Sequence, residues 1–386
     1  MTLSARSKLG HEENPLSIAL ARARAAGRSL LDLTLSNPTT AGFPYAAAEL
    51  CKAFADPRLL RYEPEPLGAK AAREVLAARF ARAGHAVSPD RIFLTASTSE
   101  AYSTLLKLLC DPGDQVLAPQ PSYPLLDHLA QLENVALTRY RLSYDGAWHV
   151  DLDSVARAIT ARTRAILIVS PNNPTGSYLK REELSALAGF GLPLISDEVF
   201  ARYELSSSAR RAGSVLEADS CLTFALGGLS KEAGLPQLKL AWTAVGGPSE
   251  QVTAALERLE ILLDAYLSPS TPVQLALAEL LAAAEPTAHA IAERCRHNLQ
   301  LLDRALLGSA ATRLDVEGGW YAVLRLPQLL TEENWALALL EHDSVVIHPG
   351  FFYDFEREPI AVLSLITPPE AFAEGVQRLA RRVAGG

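Results

Sequence analysis

Short apolar runs alternate with helical spacing along most of the chain. The segments 91–95, 115–119, 165–170, 192–196, 221–226 and 240–245 are strongly apolar, and Ala165-Ile-Leu-Ile-Val169 contains no polar position. Runs of this kind fit strands covered on both faces, as in a parallel sheet. Between them the period becomes helical. Ala72, Leu76 and Phe80 share a face that ends at Gly84, and Ala101, Leu105, Leu108 and Leu109 share another ahead of Asp111-Pro-Gly-Asp114. The alternation predicts an α/β sheet with helices on both sides. Near residue 265 the rhythm changes: Ser270-Thr-Pro272 supplies a cap and a first-turn proline for a long Ala/Leu helix. Strands at 320–324 and 360–365 and a last helix from Pro369 follow, which predicts a second, smaller α+β domain. A length of 386 residues suits two domains better than one.

Composition narrows the function. Hydrophobic residues make up 49% and charged residues 21%, an ordinary globular balance far from that of a disordered chain. The net charge of -8 argues against a nucleic-acid or anionic-membrane binder and points to a small-molecule partner. Cys51, Cys110, Cys221 and Cys295 form no C-x-x-C pair, and no His/Cys group has metal-ligand spacing, so reduced thiols and no metal are expected. The first fifteen residues are polar, with Lys8, His11, Glu12 and Glu13, and lack the apolar stretch of a signal peptide. The longest apolar run, 273–284, carries Glu279 and is too short to span a bilayer. A cytoplasmic location is expected.

Four segments carry candidate chemistry. Thr95-Ala-Ser-Thr-Ser-Glu-Ala101 follows a strand and opens a helix, so Ser97, Thr98 and Ser99 with the free helix N–H groups offer a phosphate cradle. An ordinary N-cap has the same look. Asp197 closes the apolar run 192–196, at the end of a strand where ligands of open α/β sheets collect. A carboxylate there can hold a proton on a heteroaromatic nitrogen or simply start a loop. Ser170-Pro-Asn-Asn-Pro-Thr-Gly176 turns the chain and presents Asn amides. Gly227-Gly-Leu-Ser-Lys-Glu-Ala-Gly234 follows another strand and would bring Ser230 and Lys231 into the same crevice. Together they supply the contacts that pyridoxal phosphate requires from one edge of one sheet.

With Tyr62-Glu-Pro-Glu-Pro-Leu-Gly68, Pro121-Ser-Tyr-Pro124, Asn173-Pro-Thr-Gly176, Ser196-Asp-Glu198 and Ser230-Lys231 in this order, the chain resembles the fold-type-I aminotransferases of class I/II over nearly its whole length. The resemblance implies a large cofactor domain at 45–265, built on a mostly parallel seven-stranded sheet between helices. A smaller α+β domain would combine 1–44 with 266–386. It further implies pyridoxal 5'-phosphate as a Schiff base on Lys231, Asp197 at the ring nitrogen, Asn173 at the phenolic oxygen and Tyr123 stacked on the ring. Ser97, Thr98, Ser99, Ser230 and Lys239 would hold the phosphate, with Tyr62 reaching the phosphate of the neighbouring subunit in a homodimer. Ser36, Asn37 and Asn173 would touch the substrate. The implied reaction is ping-pong transfer of an amino group from an amino acid to a 2-oxo acid, with Lys231 also as general base.

Three positions depart from the family pattern. Lys239 stands where an arginine forks onto the phosphate, Phe200 where a tyrosine donates to the phenolic oxygen, and Val362 where an arginine grips the substrate carboxylate. Lysine keeps the charge but not the fork. Arg357, five residues before Val362, is the candidate replacement clamp. Alternatives are a β-lyase or decarboxylase on the same scaffold, or an aminotransferase whose substrate lacks an α-carboxylate. Ser177-x-x-Lys180 matches a hydrolase pattern without its companion motifs, and no G-x-G-x-x-G marks a dinucleotide site.

Overall fold

The computed structural model describes residues 3–8, 14–357 and 359–385. Its strands, in chain order, are β1 (Leu31–Asp32), β2 (Ile92–Thr95), β3 (Gln115–Gln120), β4 (Ala136–Tyr144) and β5 (Trp148–Val150). They continue with β6 (Thr163–Val169), β7 (Leu194–Asp197), β8 (Thr223–Gly228), β9 (Ala241–Gly246) and β10 (Thr312–Arg313). The last four are β11 (Tyr321–Arg325), β12 (Val345–Val346), β13 (His348–Pro349) and β14 (Ile360–Ser364). Among the described residues, the main sheet has eight strands in the order β2-β9-β8-β7-β6-β3-β4-β5. Strands β4, β3, β6, β7 and β8 are mutually parallel, whereas β9 runs antiparallel between β8 and β2.

Alternation along each strand feeds two cores. Ile166 and Ile168 face one side with Leu94, Leu117 and Leu194, beneath the helices Lys70–Arg82 and Arg181–Ala188. Ala165 and Leu167 face the other with Phe93, Ile195 and Phe224, beneath Thr98–Leu109 and Ser249–Asp264. Both faces are dry, which explains the unbroken apolar runs in the sequence. The sheet has one strand more than the seven expected. Strand β5 is a three-residue antiparallel addition to β4, and β4 itself carries Thr138, Arg139 and Arg141 and is mostly only partly buried. Neither leaves an apolar run in the sequence.

A third core joins Leu16, Leu33 and Phe43 of the N-terminal segment to Trp335, Leu363 and Phe372 of the C-terminal part. Strand β1 pairs in parallel with β12, and β10-β11-β14-β13 form a small antiparallel sheet. The division into 45–265 and 1–44 plus 266–386 stays a proposal, and Val273, Leu277 and Leu280 of the latter pack into the core of the main sheet. The helix expected from Ser270 is interrupted: Thr271–Leu275 is a short piece, and the long helix runs from Leu277 to Ala305. No helix among the described residues is long and apolar enough to cross a membrane.

One buried ion pair ties the main sheet's loops to the approach to β11. Lys180 Nζ meets Glu317 Oε2 and also donates to the Tyr178 carbonyl at 2.8 Å, while Tyr178 N–H donates to the same Glu317 oxygen at 3.1 Å. Their side chains are only 10% and 12% exposed, so removing one partner strands the other charge. Glu317→Ala should therefore lower unfolding free energy by about 3 kcal/mol, measured by urea denaturation at neutral pH. A change within about 0.5 kcal/mol, typical of exposed surface positions, would contradict it.

Candidate active site

The parallel strands end along one edge, and the chain leaves each of them carrying a polar side chain. After β2, Ser97 caps the helix Thr98–Leu109: its Oγ accepts from Glu100 N–H at 3.2 Å, and Glu100 Oε2 accepts from Ala96 N–H at 2.8 Å. This reciprocal box fixes the helix start and aims its first free N–H groups, with the hydroxyls of Thr98 and Ser99, into a cleft of about 440 Å³. Ser97 thus serves as an N-cap and also lines the cleft.

After β6, Asn172 is consumed by the loop, its Oδ1 accepting from Thr175 and its carbonyl from Gly176 N–H at 2.7 Å. Asn173 instead lines the cleft, and its buried Oδ1 has no partner. Gly176 has φ +71°, and a Cβ there would stand 2.5 Å from the Gly318 carbonyl oxygen, so only glycine closes this loop. Strand β7 then alternates: Asp197 faces the cleft, whereas Glu198 accepts from Ser214 and Val215 behind it.

Strand β8 delivers Ser230 and Lys231 on the single turn Leu229–Glu232. Tyr203 Oη donates to the Lys231 carbonyl at 2.6 Å, and Glu232 pairs with Arg79 at 2.9 Å on the far side, so the turn is held from behind. Burial lowers the Lys231 amine below the ordinary lysine value, opposed by the charge of Asp197. Burial likewise raises the Asp197 carboxyl to about 6, against hydrogen bonds from Val199 N–H and Tyr102 Oη and the charge of Lys231. Lys239 precedes β9 in a left-handed conformation, φ +50°, and lines the same cleft. A lysine amine, a carboxylate, a hydroxyl-lined helix start and a second lysine therefore share one crevice.

Residues 28–360 match the model of a family described as aminotransferase class I and II. The chain belongs to that family. Alanine aminotransferase of Mycobacterium tuberculosis is 27% identical over 270 residues, which is 68% of this chain and 62% of that protein. Glutamate-pyruvate aminotransferase AlaA of Escherichia coli is 27% identical over 261 residues, 66% of this chain and 64% of that one. The match thus spans less than two thirds of these curated relatives' length. Alanine aminotransferase of Pyrococcus furiosus shares the fold over the whole of both chains, with a TM-score of 0.88 at 22% identity. A double mutant of Thermus thermophilus aspartate aminotransferase does so over 99% of each, with a TM-score of 0.84 at 25% identity.

Against the aminotransferase pattern, the cleft gathers Ser36, Ser97, Thr98, Ser99, Tyr123, Asn173, Asp197, Ser230, Lys231 and Lys239. Three expected residues stand elsewhere. Asn37 is exposed and caps a 3-10 turn, its Oδ1 accepting from Thr39 N–H at 3.0 Å. Arg357 is exposed and lines a separate cavity with Arg141 and Arg325. Tyr62, 78% exposed, is outside the cleft of its own chain. Phe200 lines the cleft and packs edge-on against Trp320 at 5.2 Å, bringing no donor, and Tyr203 is committed to the Lys231 carbonyl.

Sequence reasoning passed over Tyr102, Tyr321, His348 and Tyr353, all of which line the cleft. Tyr102 Oη donates to Asp197 Oδ2 at 3.4 Å. Its position one helical turn beyond Thr98, on the face that opens at the cradle, was a usable signal. The other three come from the small sheet and its loop, and no local pattern marks them.

The raised Asp197 carboxyl has a consequence for stability. The folded chain keeps that proton up to about pH 6 and the unfolded chain releases it near 3.8, so the folded state binds more protons in between and loses stability as pH rises through that window. In cofactor-free protein, Asp197→Asn should therefore be more stable than wild type above pH 6, by about 3 kcal/mol for two pH units, with the gain vanishing below pH 4. Urea titrations from pH 3.5 to 7.5 read this directly. A constant difference across the range would refute it.

Proposed function

We propose that this protein is a pyridoxal-phosphate-dependent aminotransferase that moves an amino group from an amino acid to a 2-oxo acid by a ping-pong route, with Lys231 as cofactor anchor and general base. The carrying observation is the burial of Lys231, its amine depressed, opposite Asp197 in a cleft that also holds a phosphate cradle. The donor set fits the cofactor. Helix N–H groups, the hydroxyls of Ser99 and Ser230 and the ammonium of Lys239 suit the phosphate, Asp197 the ring nitrogen, and the Asn173 side chain, whose Oδ1 lacks any protein partner, the phenolic side of the ring. Tyr123, 48% exposed in the cleft, suits a stacked ring.

Bound pyridoxal phosphate would supply the electron sink that makes the α-carbon acidic. Lys231 would hold it through Nζ, and the same amine, when free and neutral, would serve as the base for the α-proton, for which a depressed lysine is suited. Asp197 keeps a proton on the ring nitrogen, and Tyr102 Oη holds that carboxylate in place. The loop of Asn173 and the small sheet narrow access by water. Two subunits would complete the sites: Leu60 and Tyr62 are 84% and 78% exposed on a segment that its own cleft does not use, as a residue serving a partner's phosphate must be. A cytoplasmic homodimer is the working form we propose.

Borohydride reduction should fix the cofactor to Lys231, read by peptide mass mapping. Lys231→Ala should cut turnover roughly a thousandfold or more, because one amine serves as anchor and base. Oxo-acid release should depend on an added amino acceptor. Recovery of the adduct on another lysine, or acceptor-independent ammonia release as the main reaction, would overturn the assignment.

A further inference from the structure

Among the described residues, no arginine lines the cleft, and Val362, at the position of the family's carboxylate clamp, is buried. Its cross-strand partner fills the gap. In the β13–β14 pairing His348 lies directly opposite Val362, and in the β11–β14 pairing Val323 does so from the other side, with Tyr321 two residues away. Directly paired and alternate residues share a sheet face, so His348, Val362 and Tyr321 stand together on one face, and His348 and Tyr321 reach the cleft. The imidazole springs from the strand position paired with Val362.

The ring is also oriented. His348 Nδ1 lies 2.9 Å from Tyr353 Oη, and no other hydrogen bond to the ring is present among the described residues. The Tyr353 hydroxyl can donate to Nδ1, and in that tautomer the ring proton lies on Nε2. The Tyr353 carbonyl accepts from Ser122 N–H at 3.0 Å, which ties the pair to the loop bearing Tyr123, and Phe352 packs edge-on against the imidazole at 5.4 Å.

We propose that His348, donating from Nε2 and held by Tyr353 at Nδ1, receives the substrate carboxylate in place of the family's arginine. The proposal rests on the aminotransferase reading of this cleft and specifies how it selects amino acids. His348 is then a substrate-binding residue and Tyr353 its positioning residue. A single imidazole donor lacks the two parallel bonds and fixed charge of a guanidinium, so the site should distinguish a carboxylate from an uncharged isostere less sharply than an arginine clamp does.

The test compares L-alanine with isopropylamine, in which a methyl replaces the carboxylate, in the half-reaction of cofactor-loaded protein. His348→Phe should lower kcat/KM for alanine roughly 10- to 150-fold, mainly through KM, as expected for loss of a hydrogen bond to a charged group. Isopropylamine should change less than about threefold. His348→Gln, which restores a donor, should recover part of the loss, and Tyr353→Phe should give a smaller fall of the same kind. A second readout needs no turnover: in protein with ¹⁵N-labelled histidine, propionate should shift the imidazole signals that disappear in His348→Gln, and propionamide should shift them less. Equal losses for alanine and isopropylamine, no loss for either, or unmoved His348 signals would overturn the proposal. If the wild type converts its cofactor with no amino donor at all, the aminotransferase reading fails instead.

Discussion

A lysine amine and an aspartate carboxylate share a crevice dry enough to shift both, and the arrangement of the site follows from that constraint. Water is the better solvent for either ion, so each is drawn toward its neutral form, and their mutual attraction opposes the drift only in part. The lysine gains a free electron pair, as a base requires. The carboxylate keeps hydrogen bonds from Val199 N–H and Tyr102 Oη that hold it facing the cleft. Such a pair is tolerated only where the surrounding fold carries the cost.

The parallel sheet carries it. Covered on both faces by helices, it brings β2, β3, β6, β7 and β8 to one edge and turns β9 so that its start meets the same place. Each of these strands is followed within a few residues by side chains that line the cleft, and none needs a long loop to reach the others. Behind Lys231 the structure is reinforced by polar contacts that never touch the cleft: Tyr203 on its carbonyl, and the Arg79, Glu232, Arg202 and Glu285 network beyond. Rigid support from behind lets the face in front stay polar and unsatisfied.

The departures from the family pattern lie at three places around the cleft: after β7 at Phe200, before β9 at Lys239 and on β14 at Val362. Lys239 keeps a charge near the cradle, and Phe200 exchanges a donor for packing against Trp320. At Val362 the change is larger, because an aliphatic side chain is neutral and short. Lys231 and Asp197 come from the main sheet, whereas Val362, His348 and Tyr321 come from the small one.

The sequence by itself determined the α/β class, the six most apolar strands of the main sheet and the residues at their ends, since runs covered on both faces and the turns that follow them are local properties. That Lys231, Asp197, Asn173 and Ser97 to Ser99 gather at one cleft was legible for that reason. Strand β4 was not, because an edge strand with Arg139 and Arg141 leaves no unbroken apolar run. That Arg357 lines a different cavity from Lys231 was not legible, because nearness in sequence to β14 says nothing of the direction in which a loop faces. Only the tertiary structure decided that His348 stands beside Val362, that Tyr353 holds its ring and that Tyr102 reaches Asp197. Those contacts depend on strand register and on how one helix packs over a sheet, which are set by pairings between distant segments and have no signature in the residues nearby.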